Sequence, residues 1–162
     1  MTSRILALSA ILIAAFVGCG GGGGADSSTA SARTSEDFRA AVEARDVDDI
    51  LATFADDIRL YSPVLPDPFE GIAQMRVLFP ILAETFRNIE IVEGIKTDGL
   101  YVFWFRAEID GQRVEVVDLL RFDESGKIDE FTVTMRPLPG INALAGAVAP
   151  HLPEILGASS GG

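Results

Sequence analysis

A single acid interrupts an apolar face in one predicted β-strand. Residues 113–122 alternate so that Asp118 shares a face with Val114 and Val116, whereas Arg121 lies on the other face. Successive side chains of a strand point to opposite sides of its sheet. The face that carries Arg121 is the wetter one, so Asp118 is predicted to project into an apolar interior.

A carboxyl group in such surroundings has two physical options. It can be held by a buried cation or amide, or its pKa can rise until it is neutral. The first option makes Asp118 a structural acid, and the second makes it a protonated donor aimed at a ligand oxygen. Both interpretations stay open at this point. A general-acid role would also need a basic partner near the cavity, and the sequence does not visibly supply one.

The neighbouring predicted strands agree in phase with this interpretation. Phe103 and Phe105 alternate with Trp104 and Arg106 on one side, and Phe131 alternates with Thr132 on the other. The side chains expected to line an apolar pocket around the acid are Phe103, Phe105, Val116, Leu120, Phe131, Val133 and Met135. Large rings in a small domain are typical of a core or a ligand pocket.

Three helices precede these strands. Thr34 with Asp37 resembles a capping box, Asp46 can cap a second helix whose apolar face ends at Phe54, and Gly71 opens a third. The proline-rich segment 63–68 cannot hold a helix or a central strand, so it is predicted as a loop. Period-2 patterns then predict strands over 89–95, 101–109, 113–122 and 127–136, with Asp110-Gly111 as a hairpin turn.

This order of elements predicts an α+β domain over residues 34–137. Its expected architecture is a curved antiparallel sheet wrapped around three N-terminal helices, which gives a cone with an inner cavity. The apolar tail, residues 138–162, is expected to be partly disordered, with a short helix over 141–148 that lies over the mouth of the cone or at a subunit contact.

Composition narrows the chemistry. The formal net charge of −11 disfavours nucleic-acid binding. Cys19 and His151 are the only cysteine and histidine of the chain and lie outside the predicted domain, so neither a disulfide nor a Cys or His metal centre is expected in it, and no cofactor is expected. His151 lies between two prolines and is interpreted as an exposed bystander.

The N-terminus has the pattern of a secreted lipoprotein. Arg4 precedes the uncharged run 5–17, which suits the hydrophobic core of a signal peptide over residues 1–18. The run ends at Cys19, and the segment 16–19 resembles the bacterial lipobox, which implies that this cysteine is acylated. Residues 19–33 are rich in Gly and Ser and predict a flexible tether. The expected location is the cell envelope, with the protein attached to a membrane and facing the periplasm or the exterior.

The folded part resembles the nuclear transport factor 2-like, or SnoaL-like, superfamily, which includes ketosteroid isomerases, polyketide cyclases and limonene-epoxide hydrolases. The resemblance runs from about residue 35 to residue 135. The segments that carry it are 44–50, 54–57, 71–75, 120–123 and 126–128. Their order and spacing imply the cone-shaped fold, and they imply that a function, if any, lies in the cavity.

The resemblance also assigns positions to a catalytic set. Ketosteroid isomerases use a base carboxylate on the first strand, a tyrosine on the first helix and a protonated acid on a late strand. Asp118 matches the protonated acid, whereas the tyrosine position falls on Phe38 and the base position on Ser62. Phe38 and Ser62 are therefore added to the expected pocket, but steroid isomerisation is not expected.

Three functions remain. The favoured hypothesis is a lipid-tethered module that binds a small apolar ligand, with Asp118 bonded to the polar group of that ligand. The second is an isomerase, cyclase or hydrolase that uses Asp118 as its general acid. The third is a dimeric interaction module, because Trp104, Val117 and Leu119 predict an apolar patch on the outer sheet face.

Overall fold

The computed structural model describes residues 27–97 and 99–158, which form a six-stranded sheet with helices on its concave side. No helix within these two ranges has the length and hydropathy needed to cross a bilayer. The elements are α1 (Ser27–Ala44), α2 (Val47–Ala52), β1 (Phe54–Tyr61), β2 (Phe69–Glu70), α3 (Gly71–Thr85), β3 (Arg87–Thr97), β4 (Leu100–Ile109), β5 (Gln112–Phe122), β6 (Ile128–Arg136), α4 (Leu138–Val148), a 3-10 turn (Ala149–His151) and α5 (Leu152–Gly157).

The strand order is β2-β1-β6-β5-β4-β3. Strands β3 to β6 form the expected antiparallel meander, and the α+β prediction of a curved sheet around helices is confirmed. One pairing differs from the expectation, because β1 runs parallel to β6. The connection between these two strands includes α3 and the whole of β3 to β5, and this length allows a parallel pair to form.

The turn between β4 and β5 follows the predicted chemistry. Asp110 and Gly111 both have positive φ, at 47° and 73°, as a tight hairpin of this hand requires. The β4 and β5 strands are therefore in register from Leu100 opposite Arg121 to Ile109 opposite Gln112. This register places the inner faces of both strands on the same side of the sheet.

Helix α2 is capped as predicted, with the Asp46 side chain accepting a hydrogen bond from the amide of Asp49 at 3.0 Å. Its C-terminal end was predicted incorrectly, because Phe54 belongs to β1 and not to the apolar face of this helix. The cause is tertiary: the carbonyl of Thr53 accepts a hydrogen bond from the amide of Ile128, which extends β1 along β6.

Helix α1 begins at Ser27, seven residues before the predicted start at Thr34, so residues 27–33 of the expected tether are helical. The hydroxyls of Ser31, Thr34 and Ser35 donate to backbone carbonyls of this same helix, which removes the cost of burying them. A Cβ built at Gly126 would clash with Ala30, so the β5–β6 turn packs directly against the added turns.

The C-terminal segment is also part of the fold. Helix α4 packs against α3 and strands β4 to β6, and α5 packs against α3. Leu144, Val148 and Ile155 are buried, so the segment after Arg136 contributes to the core. The predicted helix over 141–148 is present and begins three residues earlier, at Leu138.

Candidate ligand site

The alternation predicted for β5 is confirmed, because Val114, Val116, Asp118 and Leu120 are buried and Arg121 is exposed. Asp118 is only 5% exposed. Across the sheet it is paired with Phe103 on β4 and Val133 on β6. The acid thus lies in the middle of the inner face, with apolar neighbours on both adjacent strands.

One oxygen of this carboxyl has no partner among the described residues. Within residues 27–97 and 99–158, Oδ1 of Asp118 is buried and has no hydrogen-bond partner. Burial raises the pKa of Asp118 well above its ordinary value, since desolvation penalises the charged form. Burial therefore favours the protonated form of Asp118, which has one O–H that it can donate.

The acid lines a cavity of about 120 Å³ inside the cone. Eight of the ten predicted pocket residues line it: Phe38, Ser62, Phe103, Phe105, Val116, Asp118, Phe131 and Val133. Leu120 and Met135 do not, although both are buried and share the inner face with Asp118. Both pack into the core. Alternation could not separate them from the lining residues, because cavity and core share the same inner face of the sheet. The binding role of the lining residues stays a prediction.

Phenylalanine rings in the cavity wall pack edge to face against one another. The centroids of Phe38 and Phe103 are 5.5 Å apart and those of Phe38 and Phe131 are 5.8 Å apart, both with planes at 84°. This arrangement is the favoured one for aromatic pairs. Phe38, at the position where the resemblance would require a tyrosine, therefore contributes a packing surface and no hydroxyl to the site.

Ser62 lies in the loop that follows β1 and is half-buried at the edge of the cavity with Pro63 and Val64. Its Oγ accepts a hydrogen bond from the amide of Val64 at 3.2 Å, which shapes the start of the loop. The hydroxyl cannot replace a carboxylate base, because it stays protonated near neutral pH.

Arg45 is the one cationic side chain that lines the cavity among the described residues. It follows α1 at a positive φ of 58°, and its guanidinium donates to the carbonyls of Ala83 and Phe86 at the end of α3. It is therefore engaged by the backbone and does not pair with Asp118. Arg76 and Arg87, two other cationic side chains of the domain, are exposed.

Two acids of β1 and the histidine of the C-terminal segment also lie away from the cavity. Asp56 and Asp57 are exposed positions of β1, and His151 is exposed in the 3-10 turn. Cys19 lies outside the described residues. Among the described residues the cavity thus presents an acid without a base, an arrangement that can donate a hydrogen bond to a ligand.

Sequence reasoning missed the part of the cavity wall that the helices, the loop after β1 and strands β1 to β3 contribute. Those lining residues are Val42, Arg45, Ile50, Leu60, Pro63, Val64, Phe69, Leu78, Phe79, Leu82, Ala83, Phe86, Ile89, Leu144 and Val148. The four-residue spacing of Leu78, Leu82 and Phe86 was a usable signal for one face of α3. It did not show whether that face packs against the sheet or borders an open volume.

The outer sheet face carries the predicted apolar patch of Trp104, Val117 and Leu119, all half-buried. Nε1 of Trp104 is buried and has no hydrogen-bond partner in the described part of the chain. The Arg106 guanidinium lies 5.6 Å from the centroid of the Trp104 ring, within range of a cation–π contact. Whether this patch contacts a second copy stays a prediction.

Comparison with solved structures gives the same architecture. An uncharacterised bacterial protein with a cystatin-like fold from Silicibacter pomeroyi matches with a TM-score of 0.69 at 22% identity, over 74% of this chain and 84% of the other. A steroid delta-isomerase from Pseudomonas aeruginosa matches with a TM-score of 0.67 at 24% identity, over 80% and 96%. At these identities the two matches show the fold alone.

A third similar structure is an epoxide hydrolase/cyclase-like enzyme of pyran ring formation in the polyether salinomycin. It matches with a TM-score of 0.56 at 25% identity, over 71% of this chain and 95% of the other. The sequence model of the SnoaL-like domain family matches residues 35–131, which is more than half of the chain and includes Asp118. The chain therefore belongs to the SnoaL-like domain family.

Proposed function

We propose that this domain binds a small, mostly apolar molecule that carries one hydrogen-bond acceptor, and that neutral Asp118 donates to that acceptor. The observation that carries the proposal is the unpartnered Oδ1 of Asp118 in the wall of an apolar cavity. A buried polar group without a partner costs about 1–3 kcal/mol. A bound acceptor would offset that cost, whereas the described protein groups do not.

The rest of the cavity supports a neutral ligand. Its lining consists almost entirely of aromatic and aliphatic side chains, which stabilise apolar groups by removing them from water. A ligand cation is disfavoured because Asp118 is not charged, and the Arg45 guanidinium is already bonded to two carbonyls. A ketone, ether or ester on a compact hydrocarbon frame matches these surroundings.

The test uses two probes of the same shape, cyclohexanone and methylenecyclohexane, titrated into the protein and followed by amide chemical shifts. The ketone is expected to bind about 5- to 10-fold more tightly, since a neutral hydrogen bond contributes about 1 kcal/mol. Asp118→Leu should abolish this preference, and Asp118→Asn, whose amide can still donate, should retain it. A wild-type protein that takes up neither probe would sink the proposal.

A second candidate function is catalysis with Asp118 as general acid. It is supported by the likeness to a steroid delta-isomerase and to an epoxide hydrolase/cyclase-like enzyme. Small epoxides and β,γ-unsaturated ketones are suitable probes, because each reaction places developing charge on an oxygen. Asp118→Asn separates the two functions: ligand binding should survive this change, whereas acid-catalysed turnover should be lost.

For the location of the domain, we propose acylation at Cys19 and attachment to a membrane of the cell envelope. The support is the uncharged run of residues 5–17 that ends at the chain's one cysteine. Metabolic labelling with an alkyne-tagged palmitate should mark the wild-type chain in a bacterial host and should leave Cys19→Ala unmarked. Equal labelling of both chains would exclude this anchor.

We also propose self-association through the patch of Trp104, Val117 and Leu119. The support is that Trp104 lies opposite Val117 across β4 and β5, so the three side chains form one apolar patch. Sedimentation equilibrium should give a dimer for the wild-type domain and a weaker one for Val117→Glu. A wild-type domain that stays monomeric at high concentration would exclude the dimer.

A further inference from the structure

One helix outside the family-matched residues forms part of the cavity wall. Gly140, Leu144 and Val148 follow each other at intervals of four on α4, and all three are buried. Residues spaced by four lie on the same face of an α-helix, so they form one stripe directed at the sheet. Leu144 and Val148 line the cavity that contains Asp118. We refer to these three residues as the α4 stripe.

Gly140 sets how closely the α4 stripe approaches the strand of the acid. A Cβ added at Gly140 would overlap Cγ1 of Val114, which lies on the inner face of β5 four residues before Asp118. The absence of a side chain therefore allows direct contact between helix and strand. Leu144 and Val148 belong to the same helix as Gly140. The contact at Gly140 therefore also sets how close these two residues lie to β5.

The cavity that results is small. Its volume of about 120 Å³ is slightly less than the roughly 150 Å³ of an engineered apolar cavity that holds one benzene molecule. Typical sites for drug-sized ligands are larger, at about 300–1,000 Å³. A fused polycyclic frame such as that of a steroid is larger than this volume, so it would have to extend beyond the cavity or displace part of its wall.

We infer that the ligand class is a compact, single-ring or short branched molecule with one acceptor, and that the α4 stripe sets this size limit. This inference rests on the proposed function and adds to it the residues that select by size. Val148 and Leu144 are specificity-determining residues here, because they exclude larger frames and make no polar contact. The chemistry of acceptor recognition remains with Asp118.

The experiment titrates cyclohexanone and the fused-ring ketone 1-decalone into the wild-type protein and into Leu144→Ala and Val148→Ala. The wild type should bind cyclohexanone and should bind 1-decalone at least tenfold more weakly. Each truncation should shift the ratio of the two dissociation constants toward 1-decalone by about tenfold or more. Val148→Leu, which adds volume to the same wall, should shift the ratio the other way and weaken cyclohexanone binding.

Ile155→Ala is the matched control. Ile155 is fully buried on α5 in the same C-terminal segment but does not line the cavity, so its truncation should lower stability without changing the ratio. Should Leu144→Ala fail to fold, Val148→Ala and Val148→Leu give the same test from both directions.

The outcomes separate the two proposals. A wild-type protein that binds cyclohexanone, with an unchanged ratio in the α4 variants, would overturn the size inference and leave the proposed function in place. A wild-type protein that binds both ketones equally would also overturn it. A protein that binds neither ketone in any variant would remove the proposed function and the inference together.

Discussion

Asp118 and Glu115 lie three residues apart on β5 and face opposite sides of the sheet. Asp118 is buried in the inner face, and burial raises its pKa. Glu115 lies on the outer face, where it forms ion pairs with Arg136 on β6 and Arg106 on β4. The hydrogen bond from Arg136 is the main cause that lowers the pKa of Glu115. One strand thus holds two acids whose pKa values are shifted in opposite directions.

The comparison shows that the partners across the sheet, and not the acid itself, decide what a carboxyl group does. The cross-strand neighbours of Glu115 are Arg106 and Arg136, whereas those of Asp118 are Phe103 and Val133. A charge with two cations beside it needs no further partner. An acid with a ring and an isopropyl group beside it is left with an unused donor, which is the basis of the proposed ligand site.

The largest expected difference between the two faces concerns packing. Phe103 is fully buried and contacts the rings of Phe38, Tyr101 and Phe105, so Phe103→Ala should lower the free energy of unfolding by about 3–5 kcal/mol. Val102, next to it on the outer face, is half-buried, and Val102→Ala should cost less than about 1.5 kcal/mol. Urea unfolding measures both, and equal losses would contradict an inner face that holds the core.

The next effect concerns the unpartnered acid. Asp118→Leu should stabilise the ligand-free protein at neutral pH by about 1–3 kcal/mol, because it removes a buried polar group that has no partner. Thermal and urea unfolding of the variant beside Asp118→Asn check this expectation. A marked loss of stability in Asp118→Leu would show instead that the carboxyl is held by a structural partner.

The third prediction concerns pH. The folded protein holds the Asp118 proton more tightly than the unfolded chain does, since burial raises the folded pKa. Above the unfolded pKa of about 3.9, unfolding therefore releases a proton, and stability falls as pH rises toward the folded pKa, by at most about 1.4 kcal/mol per pH unit.

The difference in unfolding free energy between wild type and Asp118→Asn isolates this effect, because all other acids are shared. That difference should favour the wild type increasingly as the pH is lowered. A difference that does not vary between pH values of about 4 and 8 would contradict a raised pKa.

The smallest effect concerns the outer acid. The folded pKa of Glu115 is lowered, so its contribution is present above the unfolded pKa and is lost as the pH falls through the folded one, the opposite of Asp118. Glu115→Gln should change stability less than Phe103→Ala or Asp118→Leu, and about 1 M NaCl should remove most of its cost by screening. A salt-independent cost would argue against an ion-pair origin.

Much of the site could be predicted from local pattern. The alternation around Asp118 placed it on the inner face, and the phases of the neighbouring strands placed Phe103 and Phe131 beside it. Two of the predicted lining residues, Leu120 and Met135, pack into the core instead. Alternation reports which face a residue occupies, and it carries no information on where along that face the helices leave a gap.

The ends of the domain were harder to predict, because distant contacts decide them. Residues 27–33 have the Ser and Ala content of a tether, yet they continue α1, which packs against the turn at Gly126. For the segment after Pro137 the sequence predicted a short helix either over the mouth of the cone or at a subunit contact, and the structure shows that Leu144 and Val148 of this helix line the cavity. Propensity is a weak guide where burial against a remote element supplies the stabilisation.

The sequence by itself determined the α+β class, the hairpin at Asp110-Gly111, and an acid on an apolar strand face, because each of these follows from periodicity or from the φ preferences of a few neighbouring residues. The tertiary structure alone decided that Oδ1 of Asp118 has no partner among the described residues, that the cavity has about 120 Å³, and that α4 forms part of its wall. Those properties depend on how far apart remote segments come to lie, and a linear pattern does not encode that distance.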